Sequence, residues 1–191
     1  RSENYTATIH GRDHIEYVEL CGTKDGTITG LRTEVWAGMG AYASTAGPGV
    51  PTILHGLIYP GPYTIANVGG TIYGVYTNTT PVDAYRGAGR PEATHLLERL
   101  VDLYARKIKM DPVAFRKKNL RDEVYHRQLD RGAKEIGWER RNPIAGGNQG
   151  PLKRGLGCAV GTWGGGGNDQ CKVDVTVSRD GSVLVAVGTQ D

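Results

Sequence analysis

Asp83-Ala84-Tyr85-Arg86-Gly87-Ala88-Gly89-Arg90-Pro91-Glu92 packs two glycines and two arginines into a short loop that runs into a helix start. Gly87 and Gly89 let backbone approach a ligand that a Cβ would push away. Arg86 and Arg90 add fixed positive charge with planar donor forks that match phosphate or carboxylate. Pro91 suits a first helical position, and Glu92 complements the positive end of the helix dipole. Together these residues describe an anion-facing site. Glu92 is accordingly read as a helix-start residue, and Asp83 receives no role.

The elements around the loop follow from patterning. Residues 5–9 and 15–20 are rich in strand formers, the second with clear alternation. Lys24-Asp25-Gly26 signals a hairpin turn, and residues 27–36 form the returning strand. A small-residue loop over 38–51 precedes a short apolar helix over 51–59. Residues 63–76 return to strand, with Gly69-Gly70 placed at a bulge or bend. After Pro91, Leu97, Leu100, Val101, Tyr104 and Ile108 line one helical face. Asp111 caps and Pro112 starts a second helix. Leu129, Ala133 and Ile136 mark a third, before Gly137 and Trp138. Residues 142–150 form a Pro/Gly/Asn linker, and 155–160, 172–177 and 183–187 read as strands. Strands, then helices, then strands predict an α+β fold.

Bulk properties exclude several classes. The 191 residues suffice for one domain or two small ones. A net charge of +3 is mild. The basic stretch Arg116-Lys117-Lys118 with Arg121 lacks the interleaved aromatics of a nucleic-acid surface, and reads as a solvated helix face or subunit contact. Cys21, Cys158 and Cys171 form no metal-binding spacing and are expected as reduced thiols. His10, His14, His55, His95 and His126 show no zinc-like spacing and are assigned to packing or solvent contact. No apolar run spans a membrane, and no signal-peptide pattern opens the chain, so a cytoplasmic location is expected. Gly155-Leu156-Gly157-Cys158-Ala159-Val160-Gly161 has the wrong spacing for a dinucleotide loop. Gly164-Gly165-Gly166-Gly167 serves as a pocket-lining loop or a connector. The start at Arg1 and the end after an apolar strand read as a piece cut from a longer polypeptide.

Ala84-Tyr85-Arg86-Gly87-Ala88-Gly89-Arg90-Pro91-Glu92-Ala93 resembles the active-site loop in the molybdenum-binding large subunit of the xanthine dehydrogenase/aldehyde oxidase family, especially its bacterial aldehyde oxidase and carbon monoxide dehydrogenase-like branch. Tyr5-Thr6-Ala7-Thr8-Ile9-His10-Gly11-Arg12-Asp13-His14 and Thr23-Lys24-Asp25-Gly26-Thr27-Ile28-Thr29-Gly30-Leu31 resemble that family's upstream strand pair. Asp111-Pro112 through Asn119-Leu120 resembles its downstream helix. Gly188-Thr189-Gln190-Asp191 resembles the lead-in to a later cofactor loop.

The resemblance implies a first molybdenum-cofactor-binding domain over 1–141, a linker over 142–150, and the start of a second, β-rich cofactor-binding domain over 151–191. It implies that Tyr85, Arg86 and Gly87 approach a molybdenum–pyranopterin, as a dinucleotide, whose sulfurs hold the metal without side-chain ligands. Ala88, Gly89 and Arg90 then face substrate. Such enzymes insert a water-derived oxygen into a substrate C–H bond and pass electrons through 2Fe-2S clusters toward FAD on partner subunits or domains. The family's general-base glutamate lies far toward the C-terminus, so no catalytic residue is expected here and the piece alone should be inactive. Carbon monoxide dehydrogenases carry Cys-Ser-Phe-Arg after the arginine, where this chain has Gly87-Ala88-Gly89-Arg90. Purine-oxidising members carry an aromatic where Ala88 stands. Both departures imply a roomier site for aldehydes or N-heterocycles. The alternative from another class is a non-catalytic binding or assembly module on the same scaffold.

Overall fold

The computed structural model describes residues 2, 3, 6, 8–144, 146–164 and 172–188. The expected strand over 5–9 includes Tyr5 and Ala7, and both lie outside these, as do Cys171, Gly165-Gly166-Gly167 and Thr189-Gln190-Asp191. Three strands form one mixed sheet in the order β1 (His14–Gly22), β2 (Ile28–Gly40), β3 (Asn67–Tyr76). β1 and β2 are an antiparallel hairpin, whereas β3 runs parallel to β2. That parallel step needs a crossover. It is supplied by a π-helical turn (Val50–Leu54) leading into α1 (His55–Ile58).

Alternation along β1 and β2 explains which face is inward. Ile28, Leu31, Thr33, Val35 and Ala37 are buried, while Tyr17 and Ile15 stand exposed on the opposite face. Gly26 closes the hairpin at φ +91°, a conformation side chains resist. Its turn is fixed by Asp25, which accepts from Thr23, Thr27 and Lys118. The Lys118 ammonium, first of its partners, holds the exposed Asp25 carboxyl well below the usual carboxylate range.

The inner face is met by α2 (Arg90–Lys107), on which α3 (Pro112–Asn119) packs, with α4 (Glu123–Ile136) packed in turn on α3. Asp111 caps α3 by accepting from the amides of Val113 and Ala114 at 2.9 and 3.0 Å. Gly137 ends α4 in the left-handed conformation. Leu97, Val101, Ala105 and Phe115 are fully or almost fully buried against Ile28 and Leu31. A second hairpin, β4 (Val173–Val177) with β5 (Val183–Val187), is exposed along its whole length.

Four expectations change. The Gly69-Gly70 pair keeps register with β2, and the register shift falls instead at Gly38/Gly40. Gly70 is bare because a Cβ there would lie 2.4 Å from the Thr33 hydroxyl. Among the described residues, 155–160 pair with no strand; Val160 donates its amide to Glu98 at 2.9 Å. The last strand before the loop begins at Asn67 instead of residue 63, because Tyr63 turns inward to donate its hydroxyl to Glu98. Arg116 is not on a solvated face: it is 0% exposed, with Nε 2.8 Å from Glu98 and a further ion pair to Asp102 at 2.9 Å.

Candidate functional site

The loop between β3 and α2 is anchored at its entry by backbone. Val82 donates to Met39 and Asp83 donates to His10, each at 3.1 Å. The Ser44 hydroxyl and the Ala84 amide hold the Asp83 carboxyl below its ordinary range. Beyond that anchor, four consecutive residues have positive φ: Arg86 at 31°, Gly87 at 112°, Ala88 at 46° and Gly89 at 83°. For Arg86 and Ala88 this conformation costs about 1–3 kcal/mol each, and such strain clusters where a site demands it. Among the described residues, no acceptor takes the amide N–H of Arg86, Gly87 or Ala88. A run of uncommitted amides on a tight loop is an anion cradle.

Two cations hold that shape. Arg12, itself at φ +66°, donates through Nη2 to the carbonyls of Tyr85 (3.1 Å) and Arg86 (2.7 Å). Its guanidinium also lies 5.1 Å from the Tyr85 ring centre and 3.6 Å from Glu92. Carbonyls drawn toward Arg12 leave the opposite edge of the same peptides, the N–H edge, facing away. Arg90 donates from Nε to the Trp163 carbonyl at 2.6 Å and stacks 4.1 Å over the Trp163 ring.

The structure therefore brings Tyr85, Arg86 and Gly87 together on one rim, with Tyr85 and Arg86 exposed and Gly87 partly so. Ala88 is half-buried. Gly89 is buried, and a Cβ on it would meet the Val50 carbonyl at 2.6 Å and the His55 amide at 2.7 Å. Arg90 is turned to Trp163. A cleft of about 360 Å³ lies between α4 and residues 157–161, and one of about 780 Å³ lies beside Asp111 and Arg141. Neither borders the loop. In the smaller cleft, burial raises the Cys158 thiol pKa above its ordinary value, as for an inert reduced thiol.

Two features escape sequence reasoning. Arg12 lies 73 residues before Tyr85, so no local pattern ties it to the loop. The second is a cluster of His14, Glu16 and His55, whose ligand atoms all lie within 4.8 Å of one another. Only the sheet-to-helix packing joins positions so far apart. His95, by contrast, is exposed, and His126 bonds the Leu120 carbonyl at 2.8 Å, as packing or solvent roles require.

The geometry fits an anionic, oxygen-rich group at the rim: free amides, an exposed guanidinium and no competing carboxylate among the rim residues. Comparison with known proteins places the chain in a family. The sequence profile of the Molybdopterin cofactor-binding domain matches residues 1–120. The chain is 38% identical over 120 residues to the 6-hydroxypseudooxynicotine dehydrogenase complex subunit gamma of Paenarthrobacter nicotinovorans, covering 63% of this chain and 15% of that one. It is 41% identical over 123 residues to the carbon monoxide dehydrogenase large chain of Hydrogenophaga pseudoflava, covering 62% and 15%. Among solved structures, quinoline 2-oxidoreductase from Pseudomonas putida 86 shares the fold with a TM-score of 0.68 at 22% identity, over 72% of this chain and 20% of that one. The chain thus spans only a small part of the length of these relatives. With the profile covering well over half of its residues, the chain belongs to the Molybdopterin cofactor-binding domain family.

Proposed function

We propose that this chain forms part of the catalytic molybdenum subunit of a molybdenum hydroxylase that oxidises an aldehyde or N-heterocyclic C–H substrate with water-derived oxygen. The observation that carries this reading is the left-handed run from Arg86 to Gly89. In it, among the described residues, the amides of Arg86, Gly87 and Ala88 are uncommitted, Arg12 holds the Tyr85 and Arg86 carbonyls, and Arg90 holds those of Gly87 and Ala88. Tyr85, Arg86 and Gly87 hold the anionic face of a molybdenum–pyranopterin dinucleotide, which supplies the redox chemistry when bound. Amides fixed in advance donate to developing negative charge without reorganising. Ala88, Gly89 and Arg90 border the substrate side, with Arg90 kept in place by Trp163. Gly87 stands where a carbon monoxide dehydrogenase would carry cysteine, and Ala88 offers no ring to stack a purine.

In this reading residues 1–141 belong to a first cofactor-binding domain, 142–150 link it onward, and 151–191 open a second. Electrons leave through 2Fe-2S clusters and FAD on partner subunits, in the cytoplasm. The general base lies outside these residues, so the isolated chain turns over nothing; measurable turnover by it alone would overturn that part. The main test is molybdenum and pterin analysis of the full-length protein from a host that makes the cofactor, followed by assays on aldehydes, N-heterocycles, purines and carbon monoxide. One molybdenum per chain, with aldehydes or N-heterocycles as best substrates, is expected. A metal-free, pterin-free protein would sink the enzyme reading in favour of a binding module, and carbon monoxide or purine as best substrate would sink the substrate assignment.

A further inference from the structure

His14 and Glu16 sit two residues apart on β1, so both side chains point to the inward face of the strand. There they meet His55, the first residue of α1, which is 0% exposed. His14 Nδ1 lies 2.9 Å from Glu16 Oε1, and His55 Nε2 lies 3.6 Å from the same oxygen. The two imidazoles meet edge to face at 4.9 Å. Among the described residues, no geometrically sound hydrogen bond reaches either ring nitrogen of His55 or Nε2 of His14, although the Gly89 backbone lies close to the His55 ring. A buried imidazole with both nitrogens unanswered, aimed at a carboxylate and a second imidazole, lacks an atom to bind.

We propose that His14, Glu16 and His55 bind a divalent transition-metal cation, with zinc as the best match, at a site separate from the Arg86 rim. Two imidazoles and one carboxylate are a recurrent donor set for zinc, with a fourth position left to water. Zinc bonds of about 2.0–2.1 Å at tetrahedral angles place ligand atoms about 3.3–3.4 Å apart. The observed 2.9 and 3.6 Å to Glu16 bracket that value, and all three ligand atoms lie within 4.8 Å of one another, so side-chain rotation that draws the two imidazoles together completes the geometry. The carboxylate brings one negative charge, and partial exposure of Glu16 gives the ion a way in.

Position gives the ion a structural task. His55 joins α1 to β1 through the cluster, and its backbone amide sits where a side chain on Gly89 would go. A cation there ties the crossover to the sheet directly beneath the strained loop. This inference does not rest on the molybdenum reading, because no cluster residue belongs to the rim.

The test uses full-length protein dialysed against chelator and titrated with Zn²⁺ by calorimetry and with Co²⁺ by difference absorption. One equivalent should bind, and Co²⁺ should give the visible bands of a four-coordinate nitrogen–oxygen site. Glu16→Gln keeps the side-chain shape in a partly exposed place. It should weaken both titrations by at least the roughly tenfold to hundredfold that losing even a ligand's orienting partner costs. His55→Gln should do the same, with molybdenum content serving as a separate readout. Pulsed electron paramagnetic resonance of Cu²⁺-loaded wild-type protein should detect two imidazole nitrogens, a result independent of whether any variant folds. Absence of a stoichiometric equivalent, a Glu16→Gln titration matching wild type, or fewer than two coupled imidazoles would overturn the site.

Discussion

At the residue scale, the loop is built from positions that tolerate no ordinary side chain. Gly89 combines φ +83° with a space already filled by the Val50 carbonyl and the His55 amide. Gly89→Ala therefore meets strain and a backbone clash together, and should cost about 2–3 kcal/mol. Urea denaturation of the full-length protein measures this; an unchanged midpoint would mean that the loop relaxes freely. Arg12→Gln is a different kind of change, because Arg12 is partly exposed and contributes mainly to loop shape. Losing its two bonds to the Tyr85 and Arg86 carbonyls should cost stability only about 1 kcal/mol or less. Bound molybdenum should fall severalfold, as read by metal analysis. A variant that keeps full metal loading would show that Arg12 does not set the cradle. The glycines of this loop were legible in sequence because glycine marks backbone constraint locally. Arg12 was not, since its partner lies 73 residues away.

At the scale of elements, α2 and α3 are joined by the buried Glu98–Arg116 pair. Glu98 accepts from Arg116, from the Tyr63 hydroxyl and from the Val160 amide, so one carboxylate ties four segments. Burial and the adjacent Glu98 charge keep the Tyr63 phenol protonated, well above its ordinary range. Glu98→Leu leaves the Arg116 guanidinium buried with, among the described residues, only Asp102 for a carboxylate partner, and should cost about 3–5 kcal/mol. Adding Arg116→Met to it should recover part of that loss, which a double-mutant cycle would measure; strict additivity would deny the coupling. Asp111 makes a milder join. Burial raises its pKa most, but the Ala114 amide, Trp138 and Arg141 together outweigh that and lower it. A folded-state pKa below the unfolded value gives stability that is present above about pH 4 and lost as pH falls through the folded value. Asp111→Asn should flatten that acid-side loss in a denaturation series. Sequence periodicity found these helices and the Asp111 cap, because both are local signals. It could not find the pair: Glu98 breaks the apolar face of α2, and Arg116 opens a run of three basic residues that looks solvated. The absence of a strand over 155–160 has the same origin, since the Val160 amide finds a carboxylate 62 residues away in place of a neighbouring strand.

At the scale of the whole molecule, the apolar residues divide unevenly. Strands β1 and β2 and the helices share one core that reaches from Ile28 to Val160. The β4–β5 hairpin is left out of it, with Val175, Val177, Val183 and Leu184 all more than half exposed. A two-stranded ribbon is marginal alone in water, and apolar side chains on both its faces need cover to stay ordered. On the proposed division, the ribbon belongs to the second domain, although Val160 still packs in the first core. Truncating the 191-residue chain after residue 171 should therefore remove exposed apolar surface and little stability. The free energy of urea unfolding should change by no more than about 0.5 kcal/mol, the usual range for changes away from a core. Binding of an apolar fluorescent dye should fall, because the Val- and Leu-rich ribbon is the surface it would occupy. Amides of β4 and β5 in the longer chain should exchange far faster than those of β1 and β2, since their hydrogen bonds open without breaking the core. A loss of several kcal/mol on truncation would place the ribbon inside the cooperative unit and remove the boundary after residue 150.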